Sequence, residues 1–333
     1  MTIRFGLLGA GRIGKVHAKA VTGSPAAKLV AVSDAMPAAA QAIADQYGCD
    51  VRTIDAIAAA KDIDAVVICT PTDTHADLIE QFVRAGKAVF CEKPIDLSLA
   101  RVKACLEVVR AEKGTLMVGF NRRFDPHFMA VRAEIDKGTL GAVEMVVITS
   151  RDPGAPPLDY IGRSGGIFRD MTIHDFDMAR FLLGEEVTEV SAMAAVLVDP
   201  AIGKAGDSDS VQVMLKTATG KMAVISNSRR ATYGYDQRIE VHGSKGMAAA
   251  ENQRPVSIEV ATGAGYTRPP LHDFFMTRYT EAYAAEIGAF IDAMGGKAKA
   301  SPSGEDGLLA LALAEAALKS VAEGRTVKVS EVL

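Results

Sequence analysis

The chain has 333 residues, which indicates two domains at about 150 residues each. Its 37 Lys+Arg and 41 Asp+Glu residues leave a net charge of −4. Because the chain also lacks a cluster of basic residues, we do not expect it to bind nucleic acid. Apolar runs such as Leu308–Ala314 are far shorter than the roughly 18 residues that a membrane span needs, and the first residues do not resemble a cleaved leader. We therefore expect a soluble, cytoplasmic protein that binds neither nucleic acid nor membrane.

Four cysteines are spread through the first third of the chain without a C-x-x-C pair. Their spacing excludes the common zinc and redox motifs and predicts small buried side chains in a reducing compartment. A catalytic cysteine is the alternative interpretation. The four residues are Cys49, Cys69, Cys91 and Cys105.

Short β-branched runs alternate with helical patterns over the first 120 residues. The predicted strands are Ile3–Leu8, Leu29–Ser33, Ala65–Cys69, Ala88–Cys91 and Leu116–Val118, and the predicted helices are Ile13–Val21, Pro37–Tyr47, Thr74–Ala85 and Ser98–Ala111. Because these strands are continuous apolar runs, they are typical of a parallel sheet that helices cover on both faces. We predict a doubly wound α/β domain over residues 1–120.

The pattern changes after residue 120. Helices are predicted over Phe128–Lys137, Met171–Leu183, Asp273–Met294 and Glu305–Ala322, and a strand over Val143–Ser150. From Val187 to about Val260, apolar and polar residues alternate between turn signals, as at Ala218–Lys221. Such alternation favours a largely antiparallel sheet with one face exposed or used for contact. Residues 121–333 are therefore predicted to form an α+β domain.

The segment Gly9-Ala10-Gly11-Arg12-Ile13-Gly14 fits G-x-G-x-x-G between a predicted strand and a predicted helix. The first glycine allows a tight turn, the second lets the backbone approach a pyrophosphate, and the third permits close helix packing. The helix N-terminus attracts the phosphates. We predict that a dinucleotide binds at Gly9, Gly11, Arg12, Ile13 and Gly14.

Asp34 stands at the end of the second predicted strand, twenty residues after Gly14. A carboxylate there can accept hydrogen bonds from both ribose hydroxyls and repels a 2′-phosphate. No arginine follows in Ala35-Met36-Pro37, so NAD is predicted over NADP. The alternative is that Asp34 only caps the next helix.

A polar loop follows the strand that ends at Cys69. Ligands in open α/β sheets lie at the carboxyl ends of the strands, so we expect this loop to face the cofactor. Helix capping by Asp73 or Thr74 is the alternative, and both interpretations can hold together. The cofactor-binding candidates in the loop are Thr70, Pro71, Thr72 and His75.

Glu92-Lys93-Pro94 follows the next strand and brings charged residues to the expected nicotinamide position. A lysine there can bind a substrate hydroxyl and stabilise negative charge on its oxygen. The alternative is a solvated surface pair.

Asp170 and His174 are four residues apart, so on a helix they share one face. A histidine whose second nitrogen is held by a carboxylate can take a proton near neutral pH. The alternatives are a helix capped by Asp170 and a metal site that includes Asp175 and Asp177. The metal site is disfavoured, because those two aspartates point to other helix faces and no second histidine is near. No metal is therefore predicted.

These motifs together resemble the glucose–fructose oxidoreductase/inositol dehydrogenase/MocA (Gfo/Idh/MocA) family over essentially the whole chain, and its inositol dehydrogenases most. The resemblance implies a Rossmann domain over residues 1–120 and a substrate-binding and oligomerisation domain over residues 121–333, whose open sheet often builds a homotetramer. It also implies NAD-dependent oxidation of a ring secondary alcohol. The resemblance rests on Gly9–Gly14, Cys69–Thr72, Glu92–Pro94, Gly119–Phe124 and Gly165–Leu182, which contains Asp170-x-x-x-His174.

Lys93, Asp170 and His174 match the family's catalytic positions. The resemblance implies that His174 removes the hydroxyl proton of myo-inositol, while Asp170 orients His174 or relays the proton. Lys93 would bind the same hydroxyl, and hydride transfer to NAD would give scyllo-inosose. Glu92 and Lys93 are also expected beside the cofactor, and Asn121 stands where some inositol dehydrogenases carry methionine. The substrate-binding candidates are Lys93, Asn121, Arg122, Asp152, Asp170, His174 and one of Tyr233 or Tyr235.

Two other functions remain open at this point. The first is a dehydrogenase of the same family that acts on another cyclitol or sugar, such as scyllo-inositol or glucose. The second is a non-catalytic dinucleotide sensor that regulates a partner. The sensor is disfavoured because regulation does not need a lysine, an aspartate and a histidine at the three catalytic positions.

Overall fold

The structure is a computed structural model that describes residues 2–333. The chain forms two compact units. One contains the residues up to Phe124 together with Glu281–Leu311, and the other contains Asp125–Thr280 together with Ala312–Leu333. The sequence interpretation put residues 281–311 in the second domain. They group with the first unit because the ring of Phe290 packs against Phe5 and Phe90, at centroid distances of 6.1 and 5.8 Å.

The first unit is built on a six-stranded sheet, and every strand pair in it is parallel. The strand order β3-β2-β1-β4-β5-β6 is that of a Rossmann fold, so the predicted fold class is confirmed. The central strand β4 is buried along its whole length, and β1 and β5 are buried except at Arg4 and Ala88, which explains why these strands are mostly apolar. The strands are β1 Ile3–Leu8, β2 Ala27–Ser33, β3 Asp50–Val51, β4 Ala65–Ile68, β5 Ala88–Glu92 and β6 Leu116–Gly119.

Five helices connect these strands, and four of them were predicted. The strand β3 and the helix α3 were missed, because β3 has two exposed residues and α3 has six residues. Thr53 starts α3 by accepting a hydrogen bond from the Ala56 amide at 3.2 Å. The helices are α1 Arg12–Gly23, α2 Pro37–Tyr47, α3 Ile54–Ala59, α4 His75–Arg84 and α5 Leu99–Ala111.

The second unit contains a seven-stranded sheet with the order β12-β11-β7-β10-β9-β8-β15. All its pairs are antiparallel except β7 with β10, so the prediction of a mostly antiparallel sheet is confirmed. The hairpin predicted at Ala218–Lys221 joins β9 to β10. The strands are β7 Val143–Arg151, β8 Val187–Ala195, β9 Ser210–Thr217, β10 Met222–Ser228, β11 Asp236–Gly243, β12 Gly246–Ala250 and β15 Val327–Lys328, and β13 Val260–Thr262 pairs separately with β14 Gly265–Thr267.

Seven helices follow β6 along the chain, and the one over Thr280–Met294 lies in the first unit except for its first residue. The predicted helix 273–294 is interrupted at Tyr279, where the backbone leaves the helical conformation. The Tyr279 ring is buried against Tyr235 and Phe128, and this packing explains the interruption. The helices are α6 Pro126–Asp136, α7 Leu158–Ser164, α8 Ile173–Leu183, α9 Pro200–Lys204, α10 Phe275–Arg278, α11 Thr280–Met294 and α12 Gly304–Glu323.

Three of the four cysteines are buried as predicted, while Cys49 is half-buried. Burial raises the pKa of the Cys69 and Cys91 thiols well above the ordinary value, and it raises the pKa of Cys105 to about 12. These three side chains are therefore protonated near neutral pH, which leaves them poor nucleophiles. Among residues 2–333, no helix has both the length and the apolar character needed to cross a membrane.

Candidate active site

The glycine turn between β1 and α1 has a backbone that admits no side chain at two of its three glycines. Gly9 has a φ of +94°, and a methyl group there would lie 2.5 Å from the Cys69 carbonyl oxygen. A methyl group on Gly14 would lie 2.0 Å from the Gly9 carbonyl oxygen. By contrast, nothing lies within 4 Å of a methyl group built on Gly11. The turn thus leaves open space at the one glycine where a pyrophosphate is expected to approach.

The N-terminus of α1 is also suited to an anion. Its N-cap is Gly11, and no side chain accepts a hydrogen bond from the first turn. The first-turn N–H groups and the positive end of the helix dipole are therefore available to an anion at this N-terminus. Arg12 is exposed at the first helical position, and Ile13 is half-buried. These observations fit a bound dinucleotide phosphate.

Asp34 lies beside this glycine turn. One carboxylate oxygen accepts the Ala10 N–H at 2.5 Å, and the other accepts the Met36 N–H at 2.7 Å. The N-cap of α2 is Met36 and receives no side-chain cap, so Asp34 does not serve as the helix cap. The carboxylate links the end of β2 to the turn and keeps lone pairs for further donors. This position suits a ribose-binding carboxylate.

The loop after β4 is held by its own threonines. The Thr70 and Thr74 hydroxyls are 2.7 Å apart, and Thr74 donates to the Pro71 carbonyl at 2.7 Å. No side chain caps the N-terminus of α4, so neither Asp73 nor Thr74 acts as its capping residue. Thr72 begins a short 3₁₀ turn at the C-terminal edge of the sheet and is half-buried.

His75 is 2% exposed and connects this loop to the next one. Its Nδ1 lies 2.8 Å from the Pro94 carbonyl, and its Nε2 lies 2.8 Å from the Thr70 carbonyl. Burial lowers the pKa of His75, while the two accepting carbonyls favour its protonated form. With both nitrogens occupied, His75 holds the loops after β4 and β5 together.

Glu92 at the end of β5 points into the core. Its Oε1 lies 2.6 Å from the Nε2 of His17, and Glu286 on α11 lies 4.0 Å from the same nitrogen. Burial and the nearby charge of Glu92 raise the pKa of Glu286 well above its ordinary value. His17, Glu92 and Glu286 are the only group of three potential metal-ligating side chains among residues 2–333. Glu92 is thus a buried support for the backbone next to Lys93.

Glu286→Gln is expected to flatten the pH dependence of stability. The raised pKa means that the folded state keeps a proton that the unfolded state releases above about pH 4.5. The free energy of unfolding of the wild type should therefore fall as pH rises from there, by at most about 1.4 kcal/mol per pH unit. Urea unfolding between pH 5 and 8 measures this slope, with the exposed Glu281→Gln on the same helix as the control. Parallel curves for wild type and Glu286→Gln would contradict the assignment.

Three substrate candidates lie on the loops that follow β5 and β6. Lys93 is half-buried directly after β5. Asn121 and Arg122 are buried in a 3₁₀ turn, Asn121–Phe124, directly after β6. In the part of the chain that the structure describes, no group bonds the buried Nδ2 of Asn121. This amide is therefore available to a ligand.

Asp170 and His174 lie in a turn whose geometry differs from the predicted one. Asp170 is part of a π-helical turn, Phe168–Thr172, and His174 is the second residue of α8. No side chain caps either segment, so Asp170 is not the N-cap of an amphipathic helix. Such π-turns concentrate at functional sites, because they re-aim side chains within an otherwise regular helix. Both side chains are half-buried.

Both oxygens of the Asp170 carboxylate have named partners. The hydroxyl of Tyr160 donates to Oδ1 at 2.9 Å, and the Arg229 guanidinium lies 3.5 Å from Oδ2. Neither residue is among the candidates that the sequence predicts. Tyr160 belongs to a short helix in a Pro- and Gly-rich region, where no pattern marks it. The pair Arg229-Arg230 directly after a strand was a usable signal, because a cation there needs an anionic partner if it is buried.

The remaining substrate candidates lie in the second unit. Asp152 directly follows β7 and donates its backbone N–H to the Ser228 carbonyl at 2.9 Å. Tyr233 is half exposed, and its hydroxyl donates to Asp236 at 2.6 Å. Tyr235 is 5% exposed, and its ring packs edge-on against Phe274 and Tyr279. Tyr233 is therefore the more accessible of the two tyrosines.

The strand order of the sheet and the glycine turn are those of a dinucleotide-binding Rossmann domain. Residues 3–120 match the model of the oxidoreductase family with an NAD-binding Rossmann fold, and residues 128–249 match the GFO/IDH/MocA C-terminal domain. The chain belongs to the GFO/IDH/MocA oxidoreductase family and carries its NAD-binding domain. The resemblance inferred from the sequence motifs is thereby confirmed.

Three relatives show how close the similarity is. Inositol 2-dehydrogenase of Rhizobium meliloti (strain 1021) is 76% identical over 330 residues, which cover 99% of this chain and 100% of that protein. The crystal structure of a myo-inositol dehydrogenase from Corynebacterium glutamicum is 44% identical, with a TM-score of 0.95 and coverage of 98% and 99% of the two chains. A scyllo-inositol dehydrogenase from Lactobacillus casei, crystallised with NAD(H) and scyllo-inositol, is 30% identical, with a TM-score of 0.92 and coverage of 99% and 100%.

Proposed function

We propose that this protein oxidises myo-inositol at one ring hydroxyl, with NAD+ as the hydride acceptor and scyllo-inosose as the product. The observation that carries the proposal is the catalytic turn, in which Asp170 is bound by Tyr160 and Arg229 close in sequence to His174. The 76% identity to a protein named inositol 2-dehydrogenase supports the substrate class. The half-buried polar side chains of Asp170 and His174 also suit a polyol, because each ring hydroxyl needs a hydrogen-bond partner.

The mechanism follows from the chemistry of the three residues. When bound, NAD+ supplies the acceptor for the hydride that leaves the ring carbon. His174 takes the hydroxyl proton as the C–H bond breaks and the C=O bond forms. Asp170 orients the imidazole and stabilises the positive charge that the proton brings. Lys93 binds the same oxygen and stabilises the negative charge that develops on it.

The remaining hydroxyls of the ring need polar partners of their own. We propose Asn121, Arg122 and Asp152 for this role, together with one of Tyr233 or Tyr235. The amide of Asn121 is the best supported, because its buried Nδ2 has no partner within residues 2–333. Tyr233 is the better supported tyrosine because it is accessible.

An NADH absorbance assay with a panel of inositols and sugars tests the function. Myo-inositol is expected to give the highest kcat/KM. A preference for scyllo-inositol would favour the second candidate, which is supported by the 30% identity to the Lactobacillus casei enzyme. No NADH production with any polyol would contradict the proposal and favour the sensor.

NAD+ is expected to exceed NADP+ in kcat/KM by at least about tenfold, a difference of about 1.4 kcal/mol. The cause is the Asp34 carboxylate, which would repel the 2′-phosphate of NADP+. Asp34→Asn should narrow the ratio, since the amide oxygen can still accept the Ala10 N–H while the charge is gone. Initial rates with both cofactors measure the ratio, and the exposed Asp45→Asn serves as the control. Equal use of NAD+ and NADP+ by the wild type would contradict this role of Asp34.

We also propose a homotetramer assembled through the outward face of the second sheet. On neighbouring strands, Met145 pairs with Met222, while Val224 lies between Val147 and Met214. All five side chains are at least 37% exposed, and together they form an apolar stripe. Light scattering should give about four times the mass of one chain. Met214→Lys with Val224→Lys should reduce the mass, whereas Met129→Lys on α6 should not. A monomeric wild type would contradict the assembly.

The cytoplasmic location is likewise a proposal. It is supported by the four free cysteines, three of them buried, which are typical of proteins from a reducing compartment.

A further inference from the structure

Arg229 is a deeply buried cation in the second unit. It directly follows β10 and is 1% exposed. Its guanidinium lies between two carboxylates, with Nη1 3.5 Å from Asp170 Oδ2 and Nη2 3.4 Å from Asp207 Oδ2. A buried cation costs several kcal/mol unless opposite charges and hydrogen bonds compensate it. The two aspartates supply the opposite charges, while the buried Nε of Arg229 has no hydrogen-bond partner within residues 2–333. One of the two aspartates belongs to the catalytic turn.

Asp207 connects Arg229 to the beginning of the same turn. Its Oδ1 accepts the backbone N–H of Ile167 at 3.0 Å. Ile167 is the residue immediately before the π-helical turn Phe168–Thr172. The turn is therefore held at two points, at its start through Asp207 and in its middle through Asp170, and Arg229 joins the two.

The two partners of Asp170 differ in how firmly they are fixed. Tyr160 is 41% exposed and lies on the short helix α7. Arg229 is buried, and its backbone N–H donates to the Asp209 carbonyl at 2.8 Å. Because a buried side chain has far fewer accessible rotamers than an exposed one, Arg229 defines the position of the carboxylate more firmly than Tyr160 does.

We infer that Arg229 is a positioning residue for the dehydrogenation, which acts through Asp170 and is itself anchored by Asp207. The inference rests on the proposed function. The planar guanidinium can reach two carboxylates at once, which a lysine ammonium on a flexible chain does less well. Arg229 thus links the local fold of the π-turn to the orientation of the residue that supports His174.

Loss of this link should affect the chemical step more than cofactor binding. A misplacement of about 1 Å in a catalytic group can lower the rate about 100-fold. Arg229→Gln is therefore expected to lower kcat by between about 10-fold and 100-fold. Binding of NADH should change little, because the glycine turn and Asp34 belong to the first unit.

The matched control is the neighbouring arginine. Arg230 is exposed, and its guanidinium donates to the backbone carbonyls of Leu197 and Val198 instead of to a carboxylate. Arg230→Gln should leave kcat and KM at wild-type values. Each variant is assayed with NAD+ and the polyol that the wild type oxidises best, and NADH fluorescence titration counts the binding-competent molecules. Rates are then expressed per NADH-binding site, so unfolded protein does not contribute.

Two further variants keep the test decisive if Arg229→Gln does not fold. Arg229→Lys retains the positive charge but loses the planar guanidinium that can reach two carboxylates. Its kcat should therefore lie between those of Arg229→Gln and the wild type. Asp207→Asn keeps an oxygen for the Ile167 N–H but removes the charge that anchors Arg229, and should lower kcat less than Arg229→Gln. With substrate deuterated at the reacting carbon, the isotope effect on kcat should equal or exceed that of the wild type in every slowed variant.

The outcomes separate the inference from the proposed function. A lower kcat per site in Arg229→Gln, with partial recovery in Arg229→Lys, supports the positioning role. A lower number of sites with wild-type kcat per site means a purely structural role and overturns it. Wild-type kcat in both Arg229→Lys and Asp207→Asn, when Arg229→Gln is insoluble, also overturns it. A wild type that oxidises no polyol overturns the proposed function and the inference together, whereas an active wild type with unaffected variants overturns the inference alone.

Discussion

His174→Ala is expected to lower kcat by at least about 100-fold, and by several hundred-fold if His174 is the only general base. In the proposed mechanism the imidazole removes the hydroxyl proton as hydride leaves the carbon, and alanine offers no group that can take that proton. The affinity for NADH should stay within about twofold of wild type, because the glycine turn and Asp34, which are proposed to bind the dinucleotide, belong to the other compact unit. Stopped-flow turnover and fluorescence titration measure the two quantities.

A second active-site variant and a control variant test whether the loss of turnover in His174→Ala is specific. Lys93→Ala should cause a loss of similar size, because it removes the positive charge that stabilises the oxygen. His242→Ala is the control: this histidine on β11 is exposed and lies 3.4 Å from Glu144. Turnover should be unchanged in the control. Retained turnover in both His174→Ala and Lys93→Ala would contradict the roles proposed for His174 as the base and for Lys93 in stabilising the oxygen.

Two glycines of the same turn should respond in opposite ways to alanine. In Gly14→Ala the new methyl group would lie 2.0 Å from the Gly9 carbonyl oxygen, and that oxygen belongs to the backbone. The turn must then shift, which is expected to lower the free energy of unfolding by about 3 kcal/mol. In Gly11→Ala the methyl group meets nothing within 4 Å, and the φ of −70° suits alanine. Stability should therefore be unchanged.

Cofactor binding provides the second measurement for this pair. The methyl group of Gly11→Ala occupies the space that the pyrophosphate needs, so the Kd for NADH should rise by at least about tenfold. Urea unfolding and NADH titration thus separate a loss of fold in one variant from a loss of cofactor in the other. An unstable Gly11→Ala, or a Gly14→Ala as stable as wild type, would show that the turn has been misinterpreted.

The Rossmann half was the most predictable part of the molecule. The strand β4 is buried on both faces and β1 is buried at every residue except Arg4, so their largely apolar sequences need no distant information to be recognised. The glycine motif was also predictable from local sequence, because its constraints act between residues only five positions apart. The short strand β3 was not, since its two exposed residues are held only by pairing with β2.

The candidate catalytic turn was predictable in its residues but not in its shape. The spacing of Asp170 and His174 marked both, yet the π-helical turn has no signal in the sequence. The partners of Asp170 come from α7 and from the end of β10, which are remote along the chain. Their convergence depends on how the second sheet pairs its strands.

The sequence by itself therefore determined the class of fold, the dinucleotide turn and the identity of the candidate catalytic residues. These features depend on local spacing and on the repeat of apolar side chains along helices and strands. Only the tertiary structure decided that Glu92 is a core residue paired with His17, that His75 holds two loops, and that Arg229 joins Asp170 to Asp207. The physical reason is burial. The local sequence around a charged residue does not show whether its side chain is exposed or buried, and only the surrounding structure determines which groups a buried charge must bind.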